Sequence, residues 1–461
     1  MFFNVRNSLF WFSDWLKGGH VQRHYSAVKK IQEDHTSDFA LSEKKKYLTT
    51  ILRHAQETVP YYRDLGMNDA VPDGIDENAV DVIQETALED FPVVNKYLIK
   101  QNPDSFRSDT YLDKKTLKAT TSGSTGTPFT VLHDLDKKKR HQADVRFYWK
   151  TVGHFWGTKF YYLRSWNQQN RKSKNVQKIQ NIVPIDVFKM NDGTIGDLLH
   201  RIKADKDPKS ILGYSSALDC IVKYMEMNSV DMSQDGVISV VAMSEALDGP
   251  TKKALQDGFG CPVVSRYANI ENGMLAQQTA GLPDDFLINQ ASYHIEILSM
   301  QADLPVEEGK MGRIVVTDLF NRALPMIRYD TGDLGILGKS ETDGKTHFVL
   351  KKVEGRKMDI IYDTHGEPIS SFTIGNSMWK YPELAQYQFI QRTEKEYEFK
   401  LNPLEKFQRG NELIEEFKGY LGSDARIKIS YVEEIPLLSS GKRKKVLNLV
   451  NSKPVEDTSV T

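Results

Sequence analysis

Residues 210–265 read SILGYSSALDCIVKYMEMNSVDMSQDGVISVVAMSEALDGPTKKALQDGFGCPVVS. Three short apolar runs, Ser210–Leu212, Val237–Met243 and Val263–Ser265, alternate here with helical patterns at Ala217–Met227 and Pro250–Gly258. A fourth run, Phe160–Trp166, precedes them. Runs this short, bounded by turn residues, suit buried strands. Strand alternating with helix predicts an α/β body that contains parallel sheet. Ligands of such sheets gather beyond the carboxyl ends of the strands, so the residues just past each run are the first functional candidates.

Toward the N-terminus, residues 42–57 predict an amphipathic helix, with Ser42 as N-cap and Tyr47, Leu48, Ile51 and Leu52 on one face, ended by Pro60. Residues 70–90 are acidic and read as a loop with a short helix. Past Gly355 the texture changes. Short strands at Glu396–Leu401 and Arg426–Val432 surround a helix at Asn411–Leu421, enough for a small α+β domain. Asn451–Thr461 has no apolar periodicity and reads as a disordered tail.

The 461 residues suggest two or three domains at roughly 150 residues each. Lys and Arg total 61 against 62 Asp and Glu, too balanced for a dedicated nucleic-acid binder. Cys220 and Cys261 are the only cysteines. They allow at most one disulfide, cannot build a four-cysteine zinc site, and fit a reducing, cytoplasmic compartment. No run of 18 apolar residues spans a bilayer. Residues 1–16 crowd Phe2, Phe3, Phe10, Trp11, Phe12 and Trp15 around Arg6 and Asp14. They read as a helix docked on the body. The sharper alternative is an interfacial helix touching the inner face of a membrane.

Six segments carry chemistry. Thr120–Thr130, TTSGSTGTPFT, can wrap an anion through backbone N–H groups freed by its glycines and through its hydroxyls. In Arg328–Leu334, RYDTGDL, Asp333 follows a Thr-Gly turn and can meet paired ribose hydroxyls. Glu245, in MSEAL, lies two residues past one strand. Tyr267–Glu271, YANIE, lies past another and offers an aromatic for a base and a carboxylate for a hard cation. Gly355–Asp359, GRKMD, offers Arg356 beside a flexible glycine, and Pro436–Lys445, PLLSSGKRKK, can carry a lone cation into a site.

Taken together and in this order, these segments resemble the adenylate-forming superfamily of acyl-CoA synthetases over Thr120 to Lys445. FPVVNKYLIK (Phe91–Lys100) and ETVPYYRDL (Glu57–Leu65) resemble its phenylacetate–CoA ligase branch, and especially the members found in capsular and exopolysaccharide gene clusters. The resemblance implies a large α/β domain over residues 1–354, a hinge at 355–359 and a small mobile α+β lid over 360–450. It implies a cytoplasmic monomer or homodimer that uses ATP and Mg²⁺ to convert a small carboxylic acid to acyl-AMP, then passes the acyl group to CoA. The alternative acceptor is an amine or hydroxyl of a sugar or amino acid. A non-catalytic nucleotide-binding protein is a third reading.

By the same resemblance Thr121, Ser122, Gly123, Ser124, Thr125, Gly126 and Thr127 hold the phosphates. Ser244, Glu245, Ala246 and Tyr267 frame the adenine, and Asp333 and Arg356 grip the ribose. Glu271 holds Mg²⁺, and Lys442 joins it and Thr125 as catalytic. Trp166, Tyr214 and Ile270 are candidates for the acid pocket. One departure is that Asp330 stands where the family commonly has Arg, with Arg328 two places earlier, which predicts rearranged charge near the phosphates.

Overall fold

The computed structural model describes residues 5–66, 88–121, 129–166, 170–356, 361–369, 371–438 and 441–450. Helix α1 (Val5–Leu16), α2 (His20–Glu33) and α3 (Asp38–Thr58) open the chain. The α3 helix begins four residues earlier than its sequence pattern suggests. The Ser37 side chain accepts from the Ala40 N–H at 3.3 Å, so Ser37 is the cap and Ser42 lies inside the helix. Pro60 does not merely end α3 but opens α4 (Pro60–Arg63), where its missing N–H costs nothing.

The strands of the body are β1 (Val94–Asn95), β2 (Leu117–Thr121), β3 (Phe129–His133), β4 (Lys159–Arg164), β5 (Ile182–Asp186), β6 (Lys209–Tyr214), β7 (Val237–Met243), β8 (Val263–Asn269), β9 (Gly273–Gln277), β10 (Phe286–Ile288), β11 (Tyr293–Leu298), β12 (Met311–Asp318), β13 (Tyr329–Thr342) and β14 (Lys345–Arg356). All but β2 and β3 join one sheet, in the order β11-β12-β13-β14-β10-β9-β8-β7-β6-β4-β5, with β1 beside β13. From β5 through β4, β6 and β7 to β8 the pairing is parallel. From β8 to β11 it is antiparallel. The expected α/β body with parallel sheet is therefore present.

Helices α5 (Lys96–Gln101), α6 (Leu135–Lys150), α7 (Lys174–Gln180), α8 (Asp192–Ala204), α9 (Ser215–Met227) and α10 (Gly249–Phe259) complete the body. Helices α8 to α10 bury Leu198, Leu218, Ile221 and Leu255 against one face of the parallel strands. Trp149 and Val152 cover the other face over Leu212, Val241 and Val264. Two covered faces explain why these strands read as continuous apolar runs.

The chain then forms a separate unit. Strands β15 (Ile361–Tyr362) and β16 (Pro368–Ile369) pair with each other. Helix α11 (Ser371–Met378) leads to β17 (Leu384–Gln391), β18 (Glu396–Pro403), helix α12 (Gly410–Leu421), β19 (Arg426–Tyr431) and β20 (Val446–Asn448). The four-stranded sheet β19-β18-β17-β20 packs Phe389, Tyr397 and Phe399 on Phe417 of α12, a core of its own. The expected hinge carries Gly355 at the end of β14, and the expected tail 451–461 lies outside the described residues, as does most of the acidic stretch 70–90.

Helix α1 is docked by one side only. Phe10 and Trp11 turn inward, and the Arg146 guanidinium stacks 3.7 Å from the Phe10 ring. Asp14 is buried and caps α2 by accepting from the N–H groups of Val21 and Gln22. Leu9, Phe12, Trp15 and Leu16 face outward, Trp15 being 69% exposed. No described helix is long and apolar enough to cross a membrane.

Candidate active site

The parallel strands end at one edge, and the sequence supplies each end with a polar residue. Ser244 follows β7, with φ 71°, a left-handed turn that directs the chain across the edge. Glu245, one residue on, is partly buried and turned to the start of α9. Its Oε2 accepts from the Ser216 N–H at 3.0 Å and the Ser216 hydroxyl at 2.7 Å. Burial pushes this carboxyl above its usual range, opposed by the Ser216 donors and by Lys442 and Lys445. Glu245 thus fixes the Ser244–Ala246 segment by capping a helix. Ser244 and Ala246 are left exposed on the edge.

Tyr267 lies inside β8, not beyond it. The strand runs on past its apolar residues to Asn269 because β9 folds back and pairs Tyr267 with Ala276. The nearly buried Tyr267 hydroxyl donates to Asp333 Oδ2 at 2.9 Å and lies 3.3 Å from the Thr331 hydroxyl. Burial, Asp333 and Glu271 all raise its pKa, so it stays a donor. Asp333 lies within β13, its N–H donating to the Thr331 hydroxyl at 3.1 Å. Gly332, at φ 76°, makes the local kink. Across the ladder Asp333 pairs with Arg356, which brings the two expected ribose contacts onto neighbouring strands.

Glu271 sits at the tip of the β8–β9 turn. His133 hydrogen-bonds its carbonyl at 2.7 Å, and the Tyr329 hydroxyl donates to its Oε1 at 3.4 Å. Burial, together with Glu271 and Asp333, holds the Tyr329 phenol protonated. Among the described residues no three His, Cys, Asp or Glu side chains cluster as a metal cage. A single partly exposed carboxylate fits Mg²⁺, which keeps its waters and takes its other ligands from substrate phosphates. Glu271 would hold it.

Lys442 comes from the C-terminal unit, yet its Nζ donates to the Ser244 carbonyl at 3.3 Å, 198 residues earlier in the chain, and lies 5.9 Å from the Tyr214 ring. Gly441, at φ 78°, makes this approach feasible, since a Cβ there would fall 2.8 Å from Ser165 Cβ and Val187 Cγ2.

Thr121 closes the β2–β3 hairpin opposite Phe129, its hydroxyl accepting from the Phe129 N–H at 3.3 Å. Ser122, Gly123, Ser124, Thr125, Gly126 and Thr127 lie outside the described residues. Of the pocket candidates, Tyr214 is buried at the end of β6. Trp166 donates its indole N–H to the Tyr162 carbonyl at 3.2 Å, and Ile270 is 47% exposed beside Glu271.

Arg328 and Asp330, on which the expected charge rearrangement rests, both have protein partners. Arg328 is buried, paired with Glu296 at 3.0 Å and donating to the Phe91 carbonyl. Asp330 pairs with Arg313 at 2.8 Å. Neither side chain is free to meet phosphate; both tie β13 to its neighbours. Sequence reasoning missed Thr331, Tyr329 and His133. The first two stand inside or beside RYDTGD, a motif already in view. Nothing in the sequence marks His133.

With the geometry in hand, the chain superposes on 2-hydroxyisobutyryl-CoA ligase in its postadenylation state with TM-score 0.67 over 89% of both chains, at 16% identity. The fold is that of the adenylate-forming ligases. The same ligase in its thioesterification state gives TM-score 0.58 over 91% of both chains. In sequence, the chain is 20% identical to Protein CapK of Staphylococcus aureus, over 78% of this chain and 80% of that one. It is 27% identical to phenylacetate-coenzyme A ligase of Thermus thermophilus, over 35% of this chain and 38% of that one. The CapK C-terminal domain family matches residues 361–449. These likenesses agree with the branch that the motifs point to.

Proposed function

We propose that the chain is an AMP-forming acid ligase. A small carboxylate attacks the α-phosphate of ATP, giving acyl-AMP and pyrophosphate, and the acyl group then passes to the CoA thiol with release of AMP. The observation that carries this reading is Lys442 Nζ at the Ser244 carbonyl. A cation from one unit is delivered to the ligand edge of another, at the turn that follows β7, whose neighbouring strand β8 carries Tyr267.

In this reading Asp333, oriented by the Tyr267 hydroxyl, accepts from the ribose hydroxyls, with Arg356 opposite it on β14. Ser244–Ala246 lie along the adenine, and Thr121 and the Ser122–Thr127 loop after β2 meet the β- and γ-phosphates, Thr125 among them. Lys442 bridges the attacking carboxylate and the α-phosphate. It offsets charge that grows as the new bond forms, so it acts chiefly on rate. Magnesium, when bound at Glu271, supplies charge neutralisation at the phosphate oxygens. Tyr214, Trp166 and Ile270 border the acid. The hinge at 355–359 lets the C-terminal unit, residues 360–450, turn after adenylation and admit the acceptor.

The alternative acceptor is an amine or hydroxyl of a sugar or amino acid, reached from the same acyl-AMP. The test is pyrophosphate release from ATP-Mg²⁺ over aryl, fatty, amino and uronic acids, with and without CoA. Turnover only with CoA supports thioester formation. Release indifferent to CoA, with adenylate accumulating, supports the other acceptor. No release with any acid refutes the ligase reading.

The outward ridge of α1 supports peripheral contact with an anionic membrane surface. Leu9, Phe12, Trp15 and Leu16 form it, exposed Arg6 and Lys17 flank it, and the helix's one acidic residue, Asp14, is turned inward.

A further inference from the structure

Three residues past Lys442, Lys445 occupies a different kind of site. Its backbone belongs to the C-terminal unit, where its carbonyl accepts from the Phe389 N–H at 2.8 Å as β20 joins β17. Its side chain crosses to the body. Nζ lies 3.2 Å from Asp219 Oδ2 on α9 and 3.4 Å from Asp248 Oδ2, just before α10.

Both acidic partners are already tied down. Asp248 caps α10 by accepting from the Thr251 N–H at 2.8 Å, and it also accepts from the Trp379 indole of the C-terminal unit at 2.8 Å. Asp219 accepts from the Thr251 hydroxyl at 3.3 Å. A second crossing lies alongside, where Lys223 of α9 donates to the Ala385 carbonyl at 2.8 Å. Each Asp side chain is only about 10% exposed. Burial works against the charge on Lys445, yet Asp219, Tyr387 and Asp248 hold the ammonium well above its ordinary range.

We propose that Lys445 is a positioning residue for adenylation: seated between Asp219 and Asp248, it latches the C-terminal unit onto α9 and α10 in the arrangement that sets Lys442 at Ser244. The inference rests on the adenylation reading for its chemistry and on geometry alone for the latch. Without the ammonium, two poorly hydrated carboxylates share one small space with only the more distant Lys223, 3.8 Å from Asp219, to offset them, and like charges there repel. Turning the C-terminal unit away relieves that repulsion by letting both hydrate. Lys442 and Lys445 leave together because only two residues separate them. The closer superposition on the postadenylation state than on the thioesterification state fits a latch that is shut here and must open for transfer.

The test pairs a distance measurement with separated half-reactions. Spin labels at Lys253→Cys on α10 and Glu415→Cys on α12, both exposed positions, report the separation of the two units in the ligand-free chain, in a Cys220→Ser, Cys261→Ser background. With Lys445 the distance distribution should be narrow. In Lys445→Met it should broaden or shift, and Lys445→Arg should restore it. ATP–pyrophosphate exchange with the acid panel should fall at least tenfold in Lys445→Met, with the KM for ATP little changed. Acyl transfer from a supplied synthetic acyl-adenylate should stay within threefold. An unchanged distance distribution in Lys445→Met overturns the latch, as does exchange within threefold of the parent. If the parent chain shows no exchange with any acid, the adenylation reading fails, while the distances still decide the latch.

Discussion

Replacing Lys442 by Met separates chemistry from stability, because the two roles of this side chain differ sharply in size. In the folded chain its ammonium donates to the Ser244 carbonyl at a long 3.3 Å, bears on the Glu245 carboxyl and lies 5.9 Å from the Tyr214 ring, in a half-buried position. Methionine keeps most of the aliphatic stem, so folding loses about 1 kcal/mol or less. For a chain of this size that is a Tm shift of about 2 °C. A preorganised charge aimed at a developing anion is worth about 100- to 1,000-fold in rate, or roughly 3–4 kcal/mol. Catalysis should therefore lose about three times more free energy than folding. ATP–pyrophosphate exchange with the activating acid, run beside thermal unfolding, measures both. Exchange within threefold of the parent would refute the placement of Lys442 at the α-phosphate. A Tm fall above about 5 °C would show that the lysine holds the fold instead.

Asp333→Asn should raise the KM for ATP about tenfold with kcat little changed, since ribose contacts act alike in ground and transition states. A fall in kcat at constant KM would place Asp333 in the chemistry. Acid should destabilise the chain through His35 and His154, which are 0% and 4% exposed. Burial, helped by His347 and Lys44 at the first and Arg266 at the second, presses both rings down to about 3. The unfolded chain binds these protons near pH 6.5 and the folded chain refuses them. Stability is therefore whole above that pH and declines as pH falls toward 3, by about 2 kcal/mol per ring at pH 5. A Tm that stays level from pH 7.5 to 5 would contradict this. Replacing Phe12 and Trp15 by Ser should cut flotation with phosphatidylglycerol liposomes about fivefold, and high salt should weaken flotation of the parent. Equal flotation of both proteins would remove the membrane reading.

What the sequence determined by itself were the quantities that depend on neighbours in the chain. Apolar runs of strand length between amphipathic helices dictated the α/β body, because a strand buried on both faces has no polar alternation to hide it. The spaced motifs marked Glu271, Asp333 and Lys442, because hydroxyl, acidic and basic side chains beside glycines are visible without a fold. Boundaries were less legible. The end of β8 at Asn269 depends on pairing with β9, and the start of α3 depends on whether Ser37 or Ser42 caps it.

Only the tertiary structure decided partnership. The sequence shows Arg328 and Asp330 beside a nucleotide motif, but long-range packing sends one to Glu296 and the other to Arg313. It shows Lys442 and Lys445 as members of one basic run. The fold gives the first to the ligand edge and the second to Asp219 and Asp248. An ion pair needs two groups within a few ångströms, and chain separation carries no information about that distance until the sheet and the C-terminal unit are in place.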